Sequence, residues 1–356
     1  MRVFTSVPQE DLRHVAAAVQ AIEADGYDGV IATENKHEPF LALAIAAAET
    51  ERIELHTGVA IAFARSPMAV AYTGWDLAAA SSGRFVLGLG SQVRAHNERR
   101  FSVPWSPPAP RLREYVRALR AIWRCWKTGE KLLFEGEHYR FTLMTPNFTP
   151  EPIAPPPPPV TIAAVGPAML KVAAEECDGV KLHGFCTRRY LDEAVLPRLS
   201  QGLAKAGRAR EHFEITGGGF LATGPDDAGV ARMFEWVRTR VAFYGSTPAY
   251  FPVFALHGLE DLGRKLNRMT REGRWEEMAK EVPDDVVHLF AAVGRFDEIV
   301  AAIERRYGGL TDAINLRATP AMPGPIPRDL VEDIRRLPQT FRGFVHQDAT
   351  ARPSVK

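Results

Sequence analysis

Short apolar runs alternate with helical patterns along most of the chain. Eight runs have the length and composition of strands: residues 2–7, 29–33, 53–61, 84–89, 160–165, 179–183, 213–221 and 312–316. Between them, apolar residues recur every three or four positions, as in Leu12, Val15, Val19 and Ile22, which is the spacing of a helix that buries one face. Residues 286–293 are a further strand candidate, which would disturb the count of eight.

This alternation predicts a protein of the α/β class. Eight strands interleaved with helices over about 320 residues favour a closed parallel barrel surrounded by helices, a (β/α)₈ TIM barrel with insertions. An open doubly wound sheet is the rival architecture, and the count of eight favours the barrel. We expect one barrel domain over residues 1–320, with insertions at about 101–159 and 244–283, followed by a C-terminal tail at 321–356.

Two segments of the first insertion have patterns that predict local structure. The sequence FEGEHYRF predicts a small hairpin, and five consecutive prolines at residues 155–159 predict an extended polyproline spacer that leads into the fifth strand. The second insertion is rich in glycine, arginine and aromatic residues and precedes the last barrel unit.

Charge and cysteine content exclude several classes of protein. The chain has 44 basic and 43 acidic residues, a formal net charge of +1. This balance does not indicate nucleic-acid binding and favours a small-molecule ligand. Cys125, Cys177 and Cys186 match no disulfide framework and no paired metal motif, which favours a reducing cytoplasm. No segment reaches the roughly 20 apolar residues of a membrane span, and no signal peptide is apparent.

Polar residues follow the strands at the end where a barrel binds its ligand. The second strand runs into Thr33, Glu34, Asn35, Lys36, His37 and Glu38. In a parallel barrel the ligand site lies at the C-terminal strand ends, so we expect this cluster to face it together with the residues after the other strands, His183 among them. Glu34 has an alternative role as a helix cap or as the partner of Lys36 or an arginine. His37 and Glu38 fall in the first turn of the next helix, where Glu38 suits the helix dipole.

The chain lacks the motifs of several self-sufficient active sites. Its histidines are scattered, with no pair at metal-ligand spacing, so no metal is expected. There is no G-x-S-x-G nucleophile motif, and Gly88 and Gly90 begin a dinucleotide fingerprint that Ser91 and Gln92 do not complete. A polar pocket without a nucleophile or metal indicates chemistry carried by an organic cofactor.

Three long motifs resemble one known family. GYDGVIATENKHEPFLALAIAAAETERIELHTGVAIAFARSP, SSGRFVLGLGSQVRAHNERRF and TIAAVGPAMLKVAAEECDGV resemble the bacterial luciferase-like superfamily of flavin and deazaflavin oxidoreductases. GLGSQVRAHNERRF, LMTPNF, FYGSTPAY and HGLEDLG look like its subgroup that depends on coenzyme F420. The resemblance implies a TIM barrel, a homodimer, and a cofactor ring that lies across the strand ends.

The resemblance also implies cofactor-binding positions. It places a non-prolyl cis peptide, pressing on the ring, at Gly58-Val59. The same resemblance implies that Ser91 and Gln92 bind the cofactor after the fourth strand, with Asn97 nearby. Val165, Gly166 and Pro167 open a helix whose free backbone N–H groups suit the phosphate of the cofactor.

One position departs from the family pattern. Glu34-Asn35 stands where deazaflavin dehydrogenases of the family have an acidic residue followed by a catalytic histidine. Asparagine cannot act as a general acid or base, although it can hydrogen-bond a ring carbonyl or a substrate oxygen. Glu34, His37 and His96 are therefore the candidates for proton transfer.

The sequence thus predicts an oxidoreductase that passes a hydride between coenzyme F420 and a small organic substrate. An FMN-dependent luciferase-like monooxygenase is the alternative within the family. Because Asn35 stands in place of the catalytic histidine, a flavin- or deazaflavin-binding protein without turnover is a further alternative.

Overall fold

The computed structural model describes residues 1–322 and 324–345, and eight parallel strands close into a barrel within them. The strands are β1 (Arg2–Ser6), β2 (Gly29–Ala32), β3 (Glu54–Thr57), β4 (Phe85–Gly90), β5 (Val160–Ala164), β6 (Gly179–Leu182), β7 (Glu214–Gly217) and β8 (Ala313–Asn315). Each pairs in parallel with the next, and β8 pairs with β1. The predicted TIM barrel is confirmed.

Helices separate consecutive strands and cover the barrel. They are Val15–Ala24, Pro39–Glu49, Pro67–Ala80, Pro108–Thr128, Pro167–Glu176, Leu196–Lys205 and Ile299–Tyr307. Ser66 caps the third of them by accepting a hydrogen bond from the Met68 N–H, and Pro67 occupies its first turn. Among the described helices, none is long and apolar enough to cross a membrane.

Two predicted strands are each interrupted by glycine. Residues 53–61 form β3 and a second short strand, Ala60–Ile61, which pairs with the end of β4. The peptide bond between them, Gly58-Val59, is cis, at the predicted position. Residues 213–221 form β7 and then leave the barrel, because Gly217 and Gly218 have φ of 86° and 105°, a conformation that L side chains rarely adopt.

The chain that leaves β7 builds a small second sheet beside the barrel. Strand Phe220–Gly224 pairs in parallel with Ala291–Arg295. Residues 286–293, the extra strand candidate, divide between the helix Asp284–Phe290 and this second strand, so the barrel keeps eight strands. The helices Asp227–Gly245, Phe251–Ala255 and Glu260–Arg271 lie between the two strands in sequence and include much of the second predicted insertion.

The first predicted insertion also has local order. Phe134–Glu135 pairs in antiparallel fashion with Arg140–Phe141, which confirms the hairpin. The Glu114 carboxylate accepts hydrogen bonds from the backbone N–H groups of the hairpin turn, at 2.6 to 3.1 Å. This part of the chain includes the long helix Pro108–Thr128, which carries the buried aromatic face of the fourth barrel unit.

The C-terminal segment packs on the end of the barrel where the strands begin. Its helix, Arg328–Arg335, buries Leu330, Val331 and Ile334 in the same apolar cluster as Val3 of β1. The boundary at residue 320 stays a prediction, and residues 323 and 346–356 of the predicted tail lie outside the described residues.

Charged residues fill the barrel interior near the starts of the strands. Arg2 pairs with Glu54 and, at 2.6 Å, with Glu214. His56 Nε2 lies 2.8 Å from the Glu54 carboxylate, and Lys181 Nζ lies 3.2 Å from His56 Nδ1. Burial raises the pKa of Glu54, but the Arg2 charge and the His56 contact outweigh it and bring that pKa down to about 2. The network joins strands β1, β3, β6 and β7.

Candidate functional site

The barrel mouth is the ring formed by the C-terminal ends of β1 to β8, and Glu34 lies on it directly after β2. The Glu34 side chain is 8% exposed, and both of its carboxylate oxygens accept from Arg65 Nη1, at 2.8 and 2.9 Å. Oε2 also accepts from the backbone N–H of Ile61 at 2.7 Å. Glu34 therefore ties the loop after β2 to the backbone that follows Gly58-Val59, and an arginine is its partner, one of the alternatives expected from the sequence.

Glu38 uses the same arginine. Its carboxylate caps the helix Pro39–Glu49 by accepting from the Phe40 and Leu41 N–H groups, at 2.6 and 3.0 Å. Arg65 Nη2 lies 3.1 Å from its other oxygen. Part of the polar cluster thus serves the local fold, since it starts a helix and orients one guanidinium.

The two remaining candidates for proton transfer are exposed. His37 faces solvent in the loop after β2, as does its neighbour Asn35, and His96 is exposed on the short helix Arg94–Arg99. The Asn35 carbonyl accepts from Arg100 Nη2 at 2.7 Å, so the loop after β2 contacts the segment after β4. The structure brings these two loops together, while both imidazoles stay at the surface.

The cis peptide lies in a tightly packed place between β2 and β4. A Cβ on Gly58 would stand 2.3 Å from Ile31 Cγ2, and a Cβ on Gly90 would stand 2.5 Å from Val59 Cγ2. Real Cβ contacts are not that short, so only glycine fits at either position without a shift of its neighbours. The backbone at the ends of β3 and β4 can therefore approach closely.

The segment after β4 has an unused hydrogen-bond acceptor. Asn97 is 1% exposed, and its Nδ2 donates to the carbonyls of Ser91 and Val93, at 2.9 and 3.2 Å. Its Oδ1 is buried and has no partner among the described residues. Gln92 has a φ of 54°, and its Oε1 accepts from the Val93 N–H. An unpaired acceptor of this kind fits an N–H on the edge of a flavin or deazaflavin ring.

The segment after β5 leaves room for an anion. Gly166 is the N-cap of the helix Pro167–Glu176, and a Cβ added to it would meet nothing within 4 Å. The Val165 carbonyl accepts from the Tyr190 hydroxyl at 3.1 Å, which anchors the loop. An open helix N-terminus with free N–H groups fits a phosphate. The unpaired acceptor of Asn97 and the open N-terminus at Gly166 are thus of the chemical kind that a ring edge and a phosphate require.

His183 is a site residue to which the sequence assigned no role. It follows β6, and its Nδ1 accepts from the Phe185 N–H at 2.9 Å. The rings of Tyr244 and Tyr250 lie 4.2 and 4.9 Å from its own ring, measured between centroids. Burial lowers the pKa of His183 to about 4, so the ring is neutral at pH 7. The alternation of strands and helices predicted that His183 lies at a strand end. It did not predict the two tyrosines as its neighbours, because they belong to the second insertion.

A cavity of about 270 Å³ opens on the side of the mouth formed by β6, β7 and β8. We call it the mouth cavity. It reaches from Thr33, next to Glu34, to strand Phe220–Gly224 and the loop after β8, and its lining includes Trp236 and Arg317. The predicted cofactor residues belong to the other strand ends, β3 to β5. Within residues 1–322 and 324–345, no three His, Cys, Asp or Glu side chains are grouped to hold a metal ion.

The family model described as luciferase-like monooxygenase matches residues 2–313. The chain belongs to the luciferase-like monooxygenase family. Among its relatives, an uncharacterized protein of Mycobacterium tuberculosis is 48% identical, over 88% of this chain and 92% of that protein. The 5,10-methylenetetrahydromethanopterin reductase of Archaeoglobus fulgidus is 29% identical, over 86% of this chain and 90% of the reductase.

Solved structures agree with this luciferase-like assignment at the level of the fold. The coenzyme F420-dependent tetrahydromethanopterin reductase of Methanopyrus kandleri superposes with a TM-score of 0.74 and is 19% identical, with 94% of this chain and 97% of the reductase covered. The relatives of this luciferase-like chain thus include a reductase, and its structural neighbours include an F420-dependent reductase.

Proposed function

We propose that this luciferase-like protein is an oxidoreductase that uses coenzyme F420 to transfer a hydride to or from a small organic substrate. The observation that carries the proposal is the division of the barrel mouth. The β3 to β5 side has closely packed backbone at Gly58 and Gly90, the unpaired Oδ1 of Asn97 and an open helix N-terminus at Gly166. The β6 to β8 side has the mouth cavity. The reductase of Archaeoglobus fulgidus, which is similar over most of the chain, supports an oxidoreductase activity.

The residues on the β3 to β5 side would hold the cofactor. Gly58 and Val59 would lie against the ring face, and Ser91, Gln92 and Asn97 would bind its edge. The N–H groups at the start of the helix after Val165, Gly166 and Pro167 would receive the phosphate. When bound, the deazaflavin supplies a carbon centre that gives or takes two electrons as a hydride and reacts poorly with oxygen.

The loop after β2 would act on the substrate. Glu34, held by Arg65 and by the Ile61 N–H, would orient that loop, and the amide of Asn35 would hydrogen-bond a substrate or ring oxygen. His37 or His96 would exchange the proton with solvent, for which their exposure suits them.

Cofactor titration tests the proposal directly. Oxidised F420, reduced F420 and FMN are added separately to the purified protein while absorbance and fluorescence are followed. We expect both F420 forms to bind and FMN to bind more weakly. Tight FMN binding with no response to either F420 form would overturn the proposal in favour of an FMN-dependent monooxygenase, which the family description also supports.

We further propose that the protein is a homodimer, as the family resemblance implies. Sedimentation equilibrium or light scattering on the purified chain of 39.4 kDa measures the mass directly. A species of twice that mass is expected, and a monomer at micromolar concentration would contradict it.

A further inference from the structure

The mouth cavity is a part of the barrel mouth that the proposed cofactor residues do not line. Its volume of about 270 Å³ lies just below the usual range of ligand pockets, about 300–1,000 Å³, and therefore suits a small ligand. Much of its wall is apolar or aromatic, with Phe220, Leu221, Met233 and Trp236 among the lining residues. The walls alone would suit a small apolar body.

Two arginines give the cavity a positive end. Arg317 follows β8 and lines the cavity, and its Nη1 donates to a neutral group, the Ser6 hydroxyl, at 3.3 Å. The Arg240 guanidinium carbon lies 4.9 Å from the centre of the Trp236 ring, which is part of the cavity wall. Across the described residues, neither arginine forms an ion pair with a carboxylate.

The two charges are close enough to repel each other. Arg317 remains exposed to solvent, yet enough protein surrounds it that burial lowers its pKa, and the charge of Arg240 lowers it further. Arg65, also at the mouth, is by contrast compensated by Glu34 and Glu38. Arg317 in the cavity lining and Arg240 on the wall residue Trp236 lack such an acid among the described residues, so they suit an anion, because guanidinium groups match a carboxylate or phosphate in charge and geometry.

Neutral hydrogen-bonding groups lie in the same cavity. Thr223 is 1% exposed and lines it, and its hydroxyl has no partner within residues 1–322 and 324–345. The Oδ1 of Asn315, at the end of β8, is likewise buried in the lining without a partner there. Buried polar atoms are nearly always hydrogen-bonded, so these two indicate a ligand that carries its own polar groups.

We propose that the mouth cavity binds a small organic acid, with its oxyanion at Arg317 and Arg240 and its body against Trp236. The inference rests on the proposed function in one respect, which is that the acid would be the substrate of the hydride transfer. It would bind beside Thr33, across the mouth from the proposed cofactor residues. Thr223 and Asn315 hydrogen-bond the polar atoms of the body.

Calorimetric titration of the full-length protein tests this with three probes that share a phenyl body. They are 3-phenylpropionate, phenyl phosphate and the neutral 3-phenylpropanamide. We expect at least one of the two acids to bind about tenfold more tightly than the amide, because a charged hydrogen-bonded pair is lost with the amide. The tighter acid identifies the anionic group as a carboxylate or a phosphate. Equal affinity for all three probes, or no binding of either acid, would overturn the inference.

Variants locate the anion. Arg317→Gln is expected to weaken binding of the preferred acid about tenfold and Arg240→Gln to weaken it less, while neither changes binding of the amide. Arg232→Gln is the matched control, since Arg232 is an exposed arginine on the same helix as Arg240 and, among the described residues, does not stack on the Trp236 ring. Unchanged acid binding in both Arg317→Gln and Arg240→Gln would place the anion elsewhere and contradict the proposal. Circular dichroism melting verifies that each variant is folded.

The cofactor titration separates this inference from the proposed function. F420 affinity should be the same in Arg317→Gln and the wild type, because the cofactor residues lie on the other side of the mouth. If F420 binds and the acids do not, the acid site is wrong and the proposed function stands. If the acids bind and F420 does not, the acid site stands and the proposed cofactor is wrong.

Discussion

Arg65 Nη1 lies within 2.9 Å of both carboxylate oxygens of Glu34, and the two residues are 31 positions apart in the chain. The pair connects the loop after β2 with the loop after β3, and the Ile61 N–H completes the connection. A carboxylate that accepts these hydrogen bonds is fixed in position, which suits an orienting role for Glu34.

Glu34→Gln should reduce hydride transfer far more than it weakens cofactor binding. The amide cannot accept two charged hydrogen bonds and one from backbone, so the loop after β2 shifts, and a small misplacement can lower a rate roughly a hundredfold. Stopped-flow measurement of the rate with F420, beside a binding titration, separates the two effects. Glu38→Gln is the control, since it contacts Arg65 but not Ile61 and is expected to affect stability only. Wild-type turnover in Glu34→Gln would remove Glu34 from the mechanism.

Gly166→Asp should weaken F420 binding about tenfold, because the new carboxylate lies where the phosphate is proposed to bind. The side chain has room, as a Cβ there meets nothing within 4 Å, and an acidic N-cap stabilises the helix rather than disturbing it. Gly166→Asn is the matched variant, with the same shape and no charge. Fluorescence titration of both variants is the measurement, and identical affinities would move the phosphate to another part of the mouth.

The half-buried His183 should make the protein less stable as pH falls from about 6.5 to 4. In the unfolded chain a histidine gains its proton near pH 6.5, whereas burial lowers the folded pKa to about 4. The stability contribution is therefore complete above pH 6.5 and is lost as pH falls through that window, by up to about 3 kcal/mol. Urea unfolding of wild type and His183→Phe measures it. The variant keeps an aromatic ring and should show a flatter profile there; parallel profiles would contradict the prediction.

Glu54→Gln should destabilise the barrel by about 2–3 kcal/mol at pH 7, because Arg2 would keep only Glu214 as an acidic partner in the network. The Glu54 side chain is 28% exposed, so solvent screens part of the effect. Since the pKa of Glu54 is lowered to about 2, its contribution is present above about pH 4.5 and disappears as pH falls to 2. The urea midpoints of the two proteins should converge in that range, and a constant difference down to pH 2 would contradict this reading.

Local sequence patterns predicted most of the fold. Apolar runs of strand length and helical spacings between them are short-range signals, and eight of them in alternation leave few architectures besides a parallel barrel. The hairpin that pairs Phe134–Glu135 with Arg140–Phe141 was also predicted, since turn chemistry acts over a few residues. The places where prediction merged two strands, after β3 and after β7, are set by backbone conformations at Gly58 and Gly217 that an apolar pattern does not encode.

The sequence by itself determined the class of fold, the family and the end of the barrel where polar residues gather. Only the tertiary structure decided what those residues touch: that Arg65 holds Glu34, that His37 and His96 stay exposed, and that Tyr244 and Tyr250 enclose His183. It also decided that Arg317 lines the mouth cavity together with Trp236, whose ring centre lies 4.9 Å from the Arg240 guanidinium carbon. The physical reason is distance along the chain, because strand and helix signals arise between near neighbours, whereas partners and cavities arise between segments that only the closed barrel brings together.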